Sequence, residues 1–83
     1  MAQEIMIYAT MNSDCTFGWG IYKRKPDLNW TKFVSTDKQG DDGMISMIVY
    51  ALDYFKDAKI LFGGYWFNHE QLEQKLYEIL DNK

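Results

Sequence analysis

The sequence is poor in the residues that build reactive sites. It holds one cysteine and one histidine in 83 residues. Cys15 alone cannot form an internal disulfide, so the fold must rest on its apolar core, which suits a reducing, cytoplasmic setting. It lies beside Asp14 in an expected turn. A neighbouring carboxylate opposes thiolate formation, so Cys15 reads as an incidental thiol. His69 would need an orienting partner and a nucleophile to act as a general base. It reads as a solvated residue at a helix start. A metal centre needs several His, Cys, Asp or Glu at ligand spacing. The acidic cluster Asp37, Asp41 and Asp42 reads as capping and solvation rather than a weak cation site. Gly40 and Gly43 flank these aspartates and Gly63-Gly64 stand apart, so no phosphate loop of the Walker or dinucleotide type is formed. No cofactor and no metal are expected.

Long apolar runs are also missing. Nothing approaches ~18 uninterrupted apolar residues, so no membrane span is expected. Met1-Ala2-Gln3-Glu4 lacks a basic region ahead of an apolar stretch, so no secretory signal is expected. Positive charge is scarce as well, the net charge being −3. Residues 1–40 hold five Lys/Arg against four Asp/Glu, and residues 41–83 hold four Lys against eight Asp/Glu. An acidic chain repels phosphate backbones at long range, which counts against a general nucleic-acid binder.

What is present is a globular composition, 47% hydrophobic and 17% aromatic, of a length that fits one domain over residues 1–83. Glu4 to Thr10 is rich in β-formers and apolar on both faces, as in a central strand. Asn12-Ser13-Asp14 is turn chemistry. A second strand is expected over Thr16 to Lys23. Its large residues Phe17, Trp19 and Ile21 face one way, and Gly18, Gly20 and Tyr22 the other, so something should pack closely on the glycine side. Pro26-Asp27 marks a turn. A third strand over Asn29 to Ser35, with Lys32 inside it, fits a sheet edge.

Asp41 or Asp42 can cap a helix that runs to about Lys56 on the spacing of Met44, Ile45, Met47, Ile48, Ala51, Leu52 and Phe55. Lys59 to Phe62 is a short buried strand ended by Gly63-Gly64. Asn68 with Gln71 forms a capping box, and Phe67 with Leu72 a hydrophobic staple, for a last helix whose buried stripe is Leu72, Leu76, Ile79 and Leu80. The order β-β-β-α-β-α predicts an α+β domain. Three strands form an antiparallel meander, and a crossover sets strand four parallel to strand one. The sheet order is then 3-2-1-4, four strands with strands three and four at the edges.

Glu4-Ile5-Met6-Ile7-Tyr8-Ala9-Thr10, Phe17-Gly18-Trp19-Gly20-Ile21-Tyr22, the stretch from Asp42-Gly43-Met44-Ile45 to Leu52, and Lys59-Ile60-Leu61-Phe62-Gly63-Gly64-Tyr65 resemble, in order, the first strand, second strand, first helix and fourth strand of the ribonuclease H family. The resemblance implies a ribonuclease H-like fold. That family cuts nucleic acid with carboxylates that hold two metal ions. The matching positions here are Thr10, Ile45 and Gly64, or, one residue earlier, Ala9, Met44 and Gly63. None supplies a carboxylate, so the resemblance implies a degenerate, truncated domain that is not an enzyme.

Two surfaces stand out. Lys23, Arg24 and Lys25, with Trp30 and Lys32 nearby, read either as a solvated hairpin tip or as a phosphate-binding patch with the indole as a stacking surface. In Phe62-Gly63-Gly64-Tyr65-Trp66-Phe67, four aromatics fall within six residues. They either fill the core or, through Tyr65 or Trp66, form an interface. The expected function is a non-catalytic protein-binding module, in the manner of small virus-encoded inhibitors of host or bacterial-defence proteins. The alternative is a nucleic-acid-binding remnant using residues 23–32. The expected contacts are Phe62, Gly63, Gly64, Tyr65 and Trp66 on an exposed strand-four edge. A partner strand or a second copy would dock there, giving a homodimer in the simplest case. The sheet face around Tyr8 and Tyr22 is the next candidate.

Overall fold

A computed structural model describes residues 3–11, 17–25 and 29–82. The expected turns at Asn12-Ser13-Asp14 and Pro26-Asp27, and Cys15, lie outside these. Seven elements follow in order: β1 (Gln3–Met11), β2 (Phe17–Arg24), β3 (Trp30–Thr36), α1 (Gly40–Tyr54), β4 (Ala58–Phe62), β5 (Tyr65–Phe67) and α2 (His69–Asp81). They build an α+β fold with one mixed sheet in the order β3-β2-β1-β4-β5.

The meander and the parallel β1–β4 pair follow the sequence expectation, with Ile5 beside Ile60 and Ile7 beside Phe62. The sheet has five strands, however, and not four. Gly63 and Gly64 take φ of 61° and 85°. Positive φ at both central residues is the signature of a type I′ turn, which glycine adopts at no steric cost and which returns the chain as a hairpin. Phe62 therefore pairs with Tyr65 and Ile60 with Phe67. Strand four is covered, and the edges are β3 and β5. An edge strand of three residues offers little free backbone, one common way of blunting a sheet edge.

Both helices lie on one face of the sheet. Ile5, Ile7, Ile21, Ala58, Ile60 and Phe62 point into a shared core with Met47, Ile48, Ala51, Leu52 and Phe55 of the α1 segment and Leu72 and Leu76 of α2. Between Ile21 and Tyr22 the β2–β3 register shifts, leaving Phe33 unmatched. This bulge lets consecutive residues Phe33 and Val34 both pack against the core. Phe33 meets the rings of Tyr54 and Phe55 at centroid distances of 5.1 and 5.5 Å. Trp19 lies against the first turn of α1. A Cβ on Gly43 would stand 2.6 Å from Trp19 Cδ1 and collide with the Lys38 carbonyl, so this buried position requires glycine.

The helix ends are handled differently. Asn68 accepts from the Gln71 backbone N–H at 2.8 Å, and Gln71 Oε1 accepts from the Asn68 N–H at 3.0 Å. The expected capping box is thus formed, and Phe67 packs against the core that contains Leu72. For α1 the cap is Gln39, with no side-chain cap bond. Asp41 and Asp42 fall inside the first turn, where their charge still suits the helix dipole. Leu80 is 45% exposed, so the buried stripe of α2 stops at Ile79. His69 is half-buried rather than simply solvated: its Nε2 lies 2.8 Å from the Leu52 carbonyl, joining the start of α2 to α1.

Candidate interaction surface

Side chains alternate across a strand, so the residues between the core positions share the opposite face. That face carries no helix among the described residues. The register sets out its rows. Glu4 of β1 is beside Lys59, and Arg24 is beside Trp30. The next row runs Lys32, Tyr22, Met6, Leu61 and Trp66. Beyond it, Ser35 and Tyr8 flank Gly20, and Thr10 lies beside Gly18.

The first row is charged, and two of its residues pair with each other. Arg24 donates to Glu4 Oε1 at 3.0 Å, and its guanidinium carbon lies 5.8 Å from the Trp30 ring centroid. The next rows are apolar and aromatic at their centre, with Lys32 at one end. Tyr22 and Met6 are half-buried, Leu61 likewise, while Tyr8 is 61% and Trp66 44% exposed. Tyr22 donates its hydroxyl to Thr10 Oγ1 at 2.8 Å. Thr10 lies beside Gly18, so reaching it carries the Tyr22 side chain past the glycine positions. Gly20 is hemmed in from the sides too, since a Cβ there would meet the Val34 carbonyl at 3.3 Å and Thr10 Cγ2 at 3.6 Å. The close packing expected on the glycine side of β2 therefore comes from Tyr22 and the flanking strands.

The basic residues singled out in the sequence are divided. Lys23 reaches across the helix-bearing side to the Phe33 ring, 4.8 Å from its centroid. Arg24, Trp30 and Lys32 belong to the open face. The Lys25 N–H bonds to the Asn29 carbonyl at 2.8 Å and closes the loop. The aromatic segment is divided as well. Phe62 is buried beneath the helices, 6.3 Å from Phe67 between ring centroids, rather than on an exposed strand edge. Gly63 and Gly64 form the exposed turn, Tyr65 is 73% exposed, and Trp66 joins the open face. The contributions of Met6 and Leu61 were missed. Their signal was the alternation of Met6 with Ile7 and of Ile60 with Leu61, together with the Gly63-Gly64 hairpin that places Trp66 next to Leu61.

Past the β1–β4 ladder there is a cleft of about 480 Å³ lined by Met6, Tyr8 and Leu61 from the open face and by Ala9, Trp19 and Phe62 from the other, with Gly63 and Gly64 at its rim. Thr10, Ile45 and Gly64, the positions at which the ribonuclease H resemblance would need carboxylates, are respectively bonded to Tyr22, packed against the core and part of the turn. Among the described residues, no group of three or more His, Cys, Asp or Glu converges in a way that could hold a metal ion. No helix among them is long and apolar enough to cross a membrane. No family model matches the chain, and neither a curated protein nor a solved structure does so.

Proposed function

We propose that the protein is a non-catalytic protein-binding module whose contact surface is the open face of the sheet. The carrying observation is the row Tyr22, Met6, Leu61 and Trp66, with Tyr8 beside it, which leaves large apolar and aromatic area on a face without a helix. Aromatic residues and methionine are enriched at protein interfaces, and a charged rim beside an apolar centre is the usual anatomy. Here Glu4, Arg24, Lys32 and Lys59 supply such a rim. An inhibitory role, in which the module blocks a host or bacterial-defence protein in the cytoplasm by occupying its surface, belongs to the same proposal. So does descent from a ribonuclease H-like domain, which the β-β-β-α-β order with β4 parallel to β1 supports.

A second reading, nucleic-acid binding, is favoured by Arg24, Trp30 and Lys32 sharing the open face. The Arg24–Glu4 pair and the turning away of Lys23 weaken it. One experiment separates the two. The intact chain and its Tyr8→Ala, Trp66→Ala double variant are used as bait in extract of the source cell, and each captured species is then measured by calorimetry at low and moderate salt. The proposal expects a protein held by the parent and lost by the double variant, with weak salt dependence. Capture of nucleic acid, with affinity that falls steeply as salt rises, would favour the second reading. Equal capture by both baits would overturn the open face as the contact surface.

A further inference from the structure

β1 outruns its parallel partner. The β1–β4 ladder ends at the pair Ile7 and Phe62, where the Gly63-Gly64 turn leads the chain away into β5. β1 continues to Met11, and Tyr8 to Met11 pair with β2 only. Along a strand, alternate residues direct their N–H and C=O groups to opposite neighbours. The side of β1 that faces β4 therefore carries backbone donors and acceptors beyond Ile7 that no described residue takes up.

The cleft lies in that gap. Its lining mixes residues from both faces, Met6, Tyr8 and Leu61 with Ile7, Ala9, Trp19 and Phe62. A groove resting on one face would be lined by one parity alone. Both parities together mark a place where the sheet lacks a strand, on the line that β4 would follow if it continued. The four residues of free edge span roughly 13 Å, the length of about four extended residues.

We infer that this notch takes an extended peptide segment of a partner protein. The segment adds as a short strand beside Tyr8–Met11 and seats uncharged apolar side chains on its two faces, one against Leu61 and the next against Trp19. The chemistry of the gap selects this occupant. Backbone amides and carbonyls are complemented by another backbone, which a compact apolar ligand cannot supply. The lining contains no charged side chain, so a charged residue seated there would lose its hydration with no counter-charge in return. Gly63 and Gly64 place no Cβ at the rim, and a Cβ on either would meet no packed atom within 4 Å, leaving room for a chain to pass. This inference rests on the protein-binding reading and specifies its mode.

The test uses the intact chain. Random peptides on the order of nine residues, long enough to overlap the free edge, are selected by display. The strongest is synthesised plain and with alternate N-methylated residues. The plain peptide is expected to slow hydrogen exchange at one or more amides between Tyr8 and Met11. The methylated form, stripped of donors, should bind about tenfold or more weakly. Ala9→Glu, at an exposed position, should cost the plain peptide about tenfold or more as well. A selection without enriched peptides, equal binding of the methylated peptide, or binding that leaves the Tyr8–Met11 amides unchanged overturns the strand mode. If in those last two cases Trp66→Ala still abolishes binding, the open-face reading stands without it. Slowed exchange at these amides in the chain alone, growing with concentration alongside a rising sedimentation coefficient, would make a second copy the occupant and also overturn the inference.

Discussion

Neighbouring residues of β4 meet opposite fates on the two faces of the sheet. Ile60 is fully buried under the helices, while Leu61 is half-buried on the open side. β1 repeats the contrast, with Ile5 and Ile7 sealed and Met6 and Tyr8 turned to the uncovered face. The side chains on the two sides are of similar apolar character, so hydrophobicity does not separate them. What separates them is the placement of α1 and α2 on one layer, which sends one set of side chains into the core and leaves the other uncovered. In a two-layer domain, apolar area on the uncovered layer contributes little to folding and is retained at a cost in solubility, a pattern that marks interaction sites.

Five substitutions sharpen that comparison. Ile60→Ala deletes a fully buried side chain and should cost about 2–5 kcal/mol in urea unfolding. Leu61→Ala, one residue away, should cost clearly less, and equal losses would show that the open face is not open. Gly43→Ala forces a methyl group against Trp19 and the Lys38 carbonyl, for an expected loss of about 1–3 kcal/mol, with a change in tryptophan fluorescence as a second readout. Asn68→Ala removes the acceptor for the Gln71 N–H and should cost about 1 kcal/mol, read as a lower urea midpoint at constant slope. Tyr8→Ala should change stability by less than about 0.5 kcal/mol, as exposed positions usually do. If Tyr8 is a hot spot, the same change should weaken partner binding by about 2 kcal/mol or more in calorimetry. A large stability loss from Tyr8→Ala would assign the ring to the core.

The elements with clear periodicity or end signals were legible in the sequence. Alternation around Ile5 and Ile7 placed β1, the spacing of Met47, Ile48, Ala51 and Leu52 placed α1, and Asn68 with Gln71 set the start of α2 to the residue. β5 was not legible as a strand because three residues, Tyr65 to Phe67, are too few to show a period. The signal was in the turn instead: two glycines between apolar runs are a hairpin signature, and reading them as a strand end misplaced the sheet edge. Phe62 was assigned to an interface for the same reason. Its parity with Ile60 and Ala58 puts it on the helix side, and that parity acquires meaning only once the helices are known to share a face. The Arg24–Glu4 pair joins residues far apart in the chain, so no local pattern could have announced that the basic cluster would be split.

The central seam of the sheet has a kinetic consequence. β1, β2 and β3 are contiguous in sequence, as are β4, β5 and α2, so each group closes through short loops. The β1–β4 ladder alone joins Gln3 to Ala58 and Ile7 to Phe62, and closing so long a loop carries an entropy cost that the local hairpins avoid. The seam is therefore expected to zip late during folding, after the meander and the terminal β-hairpin–helix unit have gained partial structure. Substitutions at Ile5 or Ile60 would then accelerate unfolding more than they slow refolding. Until the seam closes, the inner edges of β1 and β4 are both exposed, and this transient state, rather than the native one, is where strands of neighbouring chains have most opportunity to mispair.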